Sequence, residues 1–198
     1  VAVSVPAFER YQHQDAWTWE HMALTRLRPV TGDEALCYRI MEIACEAIVA
    51  RAGKDGETIS QAVRDMRQRL YREKPGTGLW DMKTAEGGLV DAEFIIQRDM
   101  LLVGKPDAIR SNTREAIARS SLSDDERTFL EEGVTFLQSL QQVQRLALGS
   151  EMPDGNLPEG LKDRLCRSVN VDGFGTLETE ISAVKSRVHA LAVKKLQL

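Results

Sequence analysis

Ala16-Trp17-Thr18-Trp19-Glu20-His21-Met22-Ala23-Leu24-Thr25-Arg26-Leu27-Arg28-Pro29-Val30-Thr31-Gly32-Asp33 is the stretch on which the reading of the chain turns. Trp19, Ala23 and Leu27 recur every four residues, as do Glu20 and Leu24, so two adjacent stripes share one helix and Pro29 lies just beyond its last turn. Trp17 and Trp19 both fall here, and a helix this aromatic is expected to pack against something large. Upstream, Val1 to Val5 alternates as the end of a strand would; Ser4 then offers a capping oxygen and Pro6 suits a first helical turn. The pattern leaves open whether Phe8 and Tyr11 run into the Trp19 stripe as one helix or as two joined near Gln14.

Downstream, Thr31-Gly32-Asp33 breaks the chain, and Leu36, Ile40, Ile43, Ala47 and Ile48 keep helical spacing until Gly53. Thr58 can cap a third helix whose apolar line is Ile59, Ala62, Val63, Met66 and Leu70, with Arg64, Arg67, Arg69 and Arg72 covering the other side. Pro75-Gly76-Thr77-Gly78 ends it, and Leu79 to Gly88 reads as an extended turn around Trp80. Period 3.6 returns at Leu89 and lasts to about Gly104. Asn112 or Thr113 opens a short helix, and Ser123-Asp124-Asp125-Glu126 is a capping box ahead of a long one. Gly149 to Pro158 reads as a loop, Leu161 and Leu165 mark a brief helix, and Thr176 can cap a last helix striped by Ile181, Val184, Val188, Leu191 and Leu196. Strand signals are nearly missing, so the fold class is all-α, an antiparallel helical bundle.

A chain of 198 residues with 42% hydrophobic and 28% charged residues can bury a core and does not have a disordered composition. Its 26 Lys plus Arg against 30 Asp plus Glu give a mildly negative field, which argues against nucleic acid and leaves a protein partner as the easier expectation. No apolar run approaches a membrane span. Cys37, Cys45 and Cys166 form no Cys-x-x-Cys pair and are odd in number, so buried reduced thiols are expected rather than disulfides or a zinc site. The amino terminus has neither an initiator Met nor a signal-peptide pattern; it reads as a chain entered partway through, with cytoplasm as the compartment.

Asp91 and Glu93 would face the same way on a strand and jointly hold magnesium, but on a helix they diverge by about 200 degrees, so a structural place near the helix start is the stronger reading. Lys83 beside Gly87-Gly88 suggests a phosphate cradle, against the plainer reading of a tight turn. Arg26 and Arg28 can fork onto phosphate or carboxylate, with a salt bridge to Glu20 or Asp33 as the plainer alternative. Trp17 and Trp19 can stack on a base, although aromatics at helical spacing are usually core. His13, His21 and His189 lack metal-ligand spacing, and Ser111 and Ser120 lack a base or oxyanion motif. From spacing alone, the chain is a helical module without a complete catalytic set.

The Trp-Thr-Trp-Glu-His helix and Gly87-Gly88-Leu89-Val90-Asp91-Ala92-Glu93-Phe94 resemble the glutamine synthetase adenylyltransferase family, whose members move AMP from ATP onto a tyrosine of glutamine synthetase. The resemblance extends through Val1 to Gln12, Asp65-Met66-Arg67, Asp81-Met82-Lys83, the Asn112-Thr113 helix start and the long helix ending near Arg145, all in family order. It points to the carboxyl-terminal part of an adenylylating half. It implies residues 1–33 as the terminal segment of a nucleotidyltransferase domain, contributing its last strand or helix and a linking helix, with 34–198 as a helical bundle domain.

The family's Gly-Ser turn and its three magnesium- and ATP-binding carboxylates have no counterpart in this sequence. The isolated chain is therefore expected not to transfer AMP, with no catalytic or metal-binding residue of its own and neither cofactor bound tightly. Trp19, Glu20, Arg26, Arg28, Lys83, Asp91 and Glu93 become candidates for the nucleotide side. Glutamine synthetase and the PII signal protein are the implied partners, and apolar surface around Phe8, Tyr11 and Trp17 is expected to be exposed and open to dimerisation. The Gly-Gly-Leu-x-Asp-x-Glu-Phe motif also occurs in the related PII uridylyltransferases, which supplies a second enzyme reading. A stand-alone helical interaction module is the third.

Overall fold

A computed structural model describes residues 2–53, 56–107, 109–149 and 157–198. Among the described residues there are nine α-helices and no strand: α1 (Val5–Gln14), α2 (Thr18–Leu24), α3 (Glu34–Ala52), α4 (Gly56–Glu73), α5 (Leu89–Val103), α6 (Thr113–Ala118), α7 (Asp124–Leu148), α8 (Glu159–Ser168) and α9 (Phe174–Leu196). The all-α expectation holds. No described helix is long and apolar enough to cross a membrane. The chain divides into two compact units, Val1–Met66 with Ile95–Ser123 and Arg67–Phe94 with Asp124–Leu198, the division falling inside α4 and α5.

In the first unit, the segment before Asp33 is two helices rather than one. Glu20 is the reason: one carboxylate oxygen accepts from the Trp17 backbone N–H at 2.9 Å, opening α2, while the other accepts from the Tyr11 hydroxyl at 2.6 Å and ties α1 to it. The buried side of α2 is Thr18, His21 and Met22, followed by Thr25, so the aromatic stripe faces outward instead of packing: Trp19 is 50% and Trp17 70% exposed. Asp33 caps α3 through the Leu36 N–H at 2.9 Å, and Ile43, Ala44, Ala47 and Ile48 form its buried line. Asn112 likewise caps α6, accepting from the N–H groups of Arg114 and Glu115. The amino-terminal residues 2–4 form no strand.

In the second unit, α7 packs on α8 and α9, and Leu130, Val134, Leu137 and Leu140 of α7, Leu165 of α8 and Leu177, Ile181 and Val188 of α9 are all buried. The helix-period expectations for these segments hold, and α9 starts two residues before Thr176 because Gly173, at φ +88°, turns the chain into it. Likewise α4 begins at Gly56, ahead of Thr58. Residues 150–156 of the expected loop, with 54–55 before α4, lie outside the described residues. Cys166 is buried, Cys37 and Cys45 half-buried, and none is in a disulfide.

Candidate functional site

The second unit is built around the turn between α4 and α5. Gly76 admits no side chain, since a Cβ there would lie 2.1 Å from the Ala85 Cα. Gly87 is held more tightly still: it has φ +74°, and a Cβ would come within 1.8 Å of the Lys185 carbonyl oxygen on α9. Lys185 fixes the turn from the same helix, its ammonium donating to the carbonyls of Gly78, Leu79 and Asp81 at 3.1, 3.2 and 3.2 Å. Burial of that ammonium lowers its pKa, opposed by the Asp81 charge. Trp80 stacks on Phe174 with ring centroids 5.2 Å apart, and Gln144 donates to the Trp80 carbonyl at 3.2 Å.

Two carboxylates organise the rest. Asp81 accepts from the backbone N–H groups of Thr77, Lys83 and Thr84 and from the Thr84 hydroxyl. Burial works against its ionisation, but the bonds from Thr84, Lys83 and Thr77 outweigh that and hold its pKa below the usual carboxylate value. Asp91, in the first turn of α5, is fully buried. One of its oxygens accepts from Arg67 Nε at 2.6 Å and the Tyr71 hydroxyl at 2.8 Å; the other accepts from the Gly87 N–H at 2.6 Å and the same hydroxyl at 2.9 Å. The Arg67 guanidinium lies 3.6 Å from the centroid of the Tyr71 ring and is itself 1% exposed. Burial, then the Asp91 charge, pushes the Tyr71 phenol well above its ordinary pKa. His189 stands at the edge, its Nδ1 3.5 Å from the Tyr71 oxygen and 3.8 Å from Asp91.

The residues singled out in the sequence are therefore dispersed. Lys83 and Asp91 share the turn of the second unit, where Lys83 is exposed and Asp91 buried, while Glu93 is half-buried farther along α5. Trp19, Arg26 and Arg28 are exposed and Glu20 half-buried, all in the first unit. The Gly87 and Gly88 amides donate to Asp91 and to the Ala85 carbonyl, so these two N–H groups are already engaged within the turn.

Arg67 corrects the expected polar face of α4. Its four-residue spacing from Ile59, Val63 and Tyr71 puts it on the inward stripe, a signal present in the sequence but masked by three neighbouring arginines. Lys185 left no such trace, because the carbonyls that hold it come from a turn far away in sequence.

Residues 1–43 match the family model of glutamate-ammonia ligase adenylyltransferase, and residues 57–196 match that of GlnD PII-uridylyltransferase. Bifunctional glutamine synthetase adenylyltransferase/adenylyl-removing enzymes are similar across nearly the whole chain. The Mesorhizobium japonicum enzyme is 35% identical over 95% of this chain, that of Brucella suis 35% over 91%, and that of Rhizobium meliloti 31% over 96%. The chain spans only 19%, 19% and 20% of those relatives, respectively. It is a member of the glutamine synthetase adenylyltransferase family, and its residues 57–196, which hold α5 to α9 and nearly all of α4, match the GlnD PII-uridylyltransferase model.

Proposed function

We propose that this chain is the helical portion of an enzyme that transfers AMP from ATP to a tyrosine of glutamine synthetase, and that it supports the catalytic domain and presents a surface to protein partners. The observation that carries the reading is the one-third identity to bifunctional adenylyltransferases over more than nine-tenths of the chain. The GlnD PII-uridylyltransferase match over residues 57–196 favours a second reading, the helical domain of a uridylyltransferase, but the curated relatives that align across both matched segments are adenylyltransferases.

Magnesium and ATP belong to the proposed longer enzyme. Among the described residues no three His, Cys, Asp or Glu side chains gather at a point where they could hold a metal ion, and both oxygens of Asp91 are already occupied by donors. These residues do not fit a magnesium and nucleotide clamp, and the chain alone is proposed not to transfer AMP. Its contribution is structural: Arg67, Tyr71 and the Gly87 N–H hold Asp91, which holds the start of α5.

In the first unit, Trp17, Trp19 and Tyr11 are 70%, 50% and 40% exposed. Such a face suits cover by the catalytic domain, or by a second copy when that domain is missing. Residues 1–33 are accordingly proposed as the join to that domain, with Trp19, Glu20, Arg26 and Arg28 nearest its nucleotide. Glutamine synthetase and a PII protein are the proposed partners, an adenylylating half the proposed parent, and cytoplasm the compartment.

The test is incubation of glutamine synthetase and magnesium ATP, labelled in the α-phosphate, with this chain and with a longer polypeptide that extends upstream. Label is expected on glutamine synthetase only with the longer polypeptide. Label transferred by this chain alone would overturn the reading.

A further inference from the structure

A cleft of about 590 Å³ lies within the second unit, between the turn after α4 and the last turns of α7. Its size falls in the range of small-molecule sites. Pro75 and the exposed edge of Trp80 give it apolar wall, while Lys83 from the turn and Arg145 from α7 give it charge. The acid in the cleft, Asp81, is buried and already accepts four hydrogen bonds, so it has little capacity left to hold either cation. Among the described residues neither Lys83 nor Arg145 has a carboxylate partner, and neither the Thr77 hydroxyl nor the Gln141 amide has a hydrogen-bond partner.

The cleft is also built in advance of any ligand. Lys185 holds three carbonyls of the turn, Trp80 stacks on Phe174, and Gln144 of α7, which also lines the cleft, donates to the Trp80 carbonyl. Walls fixed in this way lose little freedom on binding. Two further clefts of this unit also carry acids, Glu86 beside His189 and Glu131 with Glu132 beside Arg167, whereas the acid of this cleft, Asp81, has its charge met by four hydrogen bonds within the turn.

We propose that this cleft binds the phosphoryl or carboxylate group of a small molecule between Lys83 and Arg145, with Thr77 and Gln141 as further donors. A guanidinium from α7 and an ammonium from the turn, lining one cleft, suit an anion that needs both a forked and a point-charge contact. The apolar wall at Trp80 then takes the body of the ligand. The assignment stands whether or not the longer enzyme transfers AMP, because it uses neither the proposed transfer nor the residues of the first unit.

The test is a titration of the full 198-residue chain, followed by amide and indole NMR signals, with inorganic phosphate, AMP and succinate at ionic strength held constant with sodium chloride. Saturable shifts are expected at Thr77, Trp80, Lys83 and Thr84. Lys83→Ala and Arg145→Ala should each weaken binding about tenfold or more, the loss typical of one charged hydrogen bond. Lys83→Arg should retain most of it, and Arg187→Ala, on the face of Phe129, should change nothing. Tighter binding of AMP than of phosphate and succinate at the same signals identifies a phosphoryl ligand; tighter binding of succinate identifies a carboxylate. The proposal is overturned if no probe gives saturable shifts, if a separate sodium chloride titration gives the same shifts, or if folded Lys83→Ala and Arg145→Ala proteins bind as the parent does.

Discussion

Asp91 is met by three donors, Arg67, the Gly87 N–H and a Tyr71 hydroxyl whose single proton lies between its two oxygens, and its charge is balanced by a guanidinium that is 1% exposed, so removing either charge alone strands the other in the interior. Asp91→Asn and Arg67→Met are each expected to cost about 3–5 kcal/mol in urea unfolding, and the double variant less than the sum of the two. A cost near zero for either single variant would mean that the pair does not form. His21 offers a separate check. Its ring nitrogen meets the Gln12 carbonyl at 2.9 Å, and burial, only partly offset by that bond, lowers its pKa. The unfolded chain then binds the proton more readily than the folded one, so this contribution to stability is complete above about pH 6.5 and is lost as pH falls toward the lower folded value. Thermal melts between pH 8 and 5 should show that decline, and His21→Gln should flatten it.

At the scale of elements, the turn between α4 and α5 depends on α9 for its shape. Gly87→Ala places a methyl group against the Lys185 carbonyl in a left-handed backbone, and should destabilise by about 1–3 kcal/mol or more in denaturant melts. Lys185→Met keeps most of the stem but leaves three carbonyls without their donor. Hydrogen exchange at the Leu89 and Val90 amides, which donate to Met82 and Lys83, should then quicken roughly ten- to hundredfold. Unchanged exchange would mean that the turn holds itself.

Helix periods in the sequence were enough to place most of α3 to α9, because apolar spacing and caps such as Asp33 and Asn112 are local. The turn was legible only as a break. Its fixed shape comes from Lys185, Phe174 and Gln144, which spacing cannot connect to Trp80. The outward aromatic stripe of α2 was unreadable for a different reason: periodicity marks a stripe, and only packing decides which stripe is buried, here the one bearing His21 and Met22 rather than Trp19.

At the scale of the whole molecule, a family motif can keep an acid for architecture instead of chemistry. Gly87-Gly88-Leu89-Val90-Asp91 contains an acid that spacing alone allows as a metal ligand, and the structure shows it engaged by Arg67, Tyr71 and Gly87. The exposed Trp17 and Trp19 fit a chain that spans about a fifth of its relatives' length, and their face is where a longer polypeptide is proposed to add cover. The measurement that separates these roles most directly is AMP transfer by that longer polypeptide carrying Asp91→Asn, read per folded molecule beside its melting temperature. The expected result is a clear fall in melting temperature with activity per folded molecule within about twofold of the parent. A melting temperature unchanged from the parent, with transfer reduced by orders of magnitude, would contradict the structural role and make Asp91 part of the chemistry.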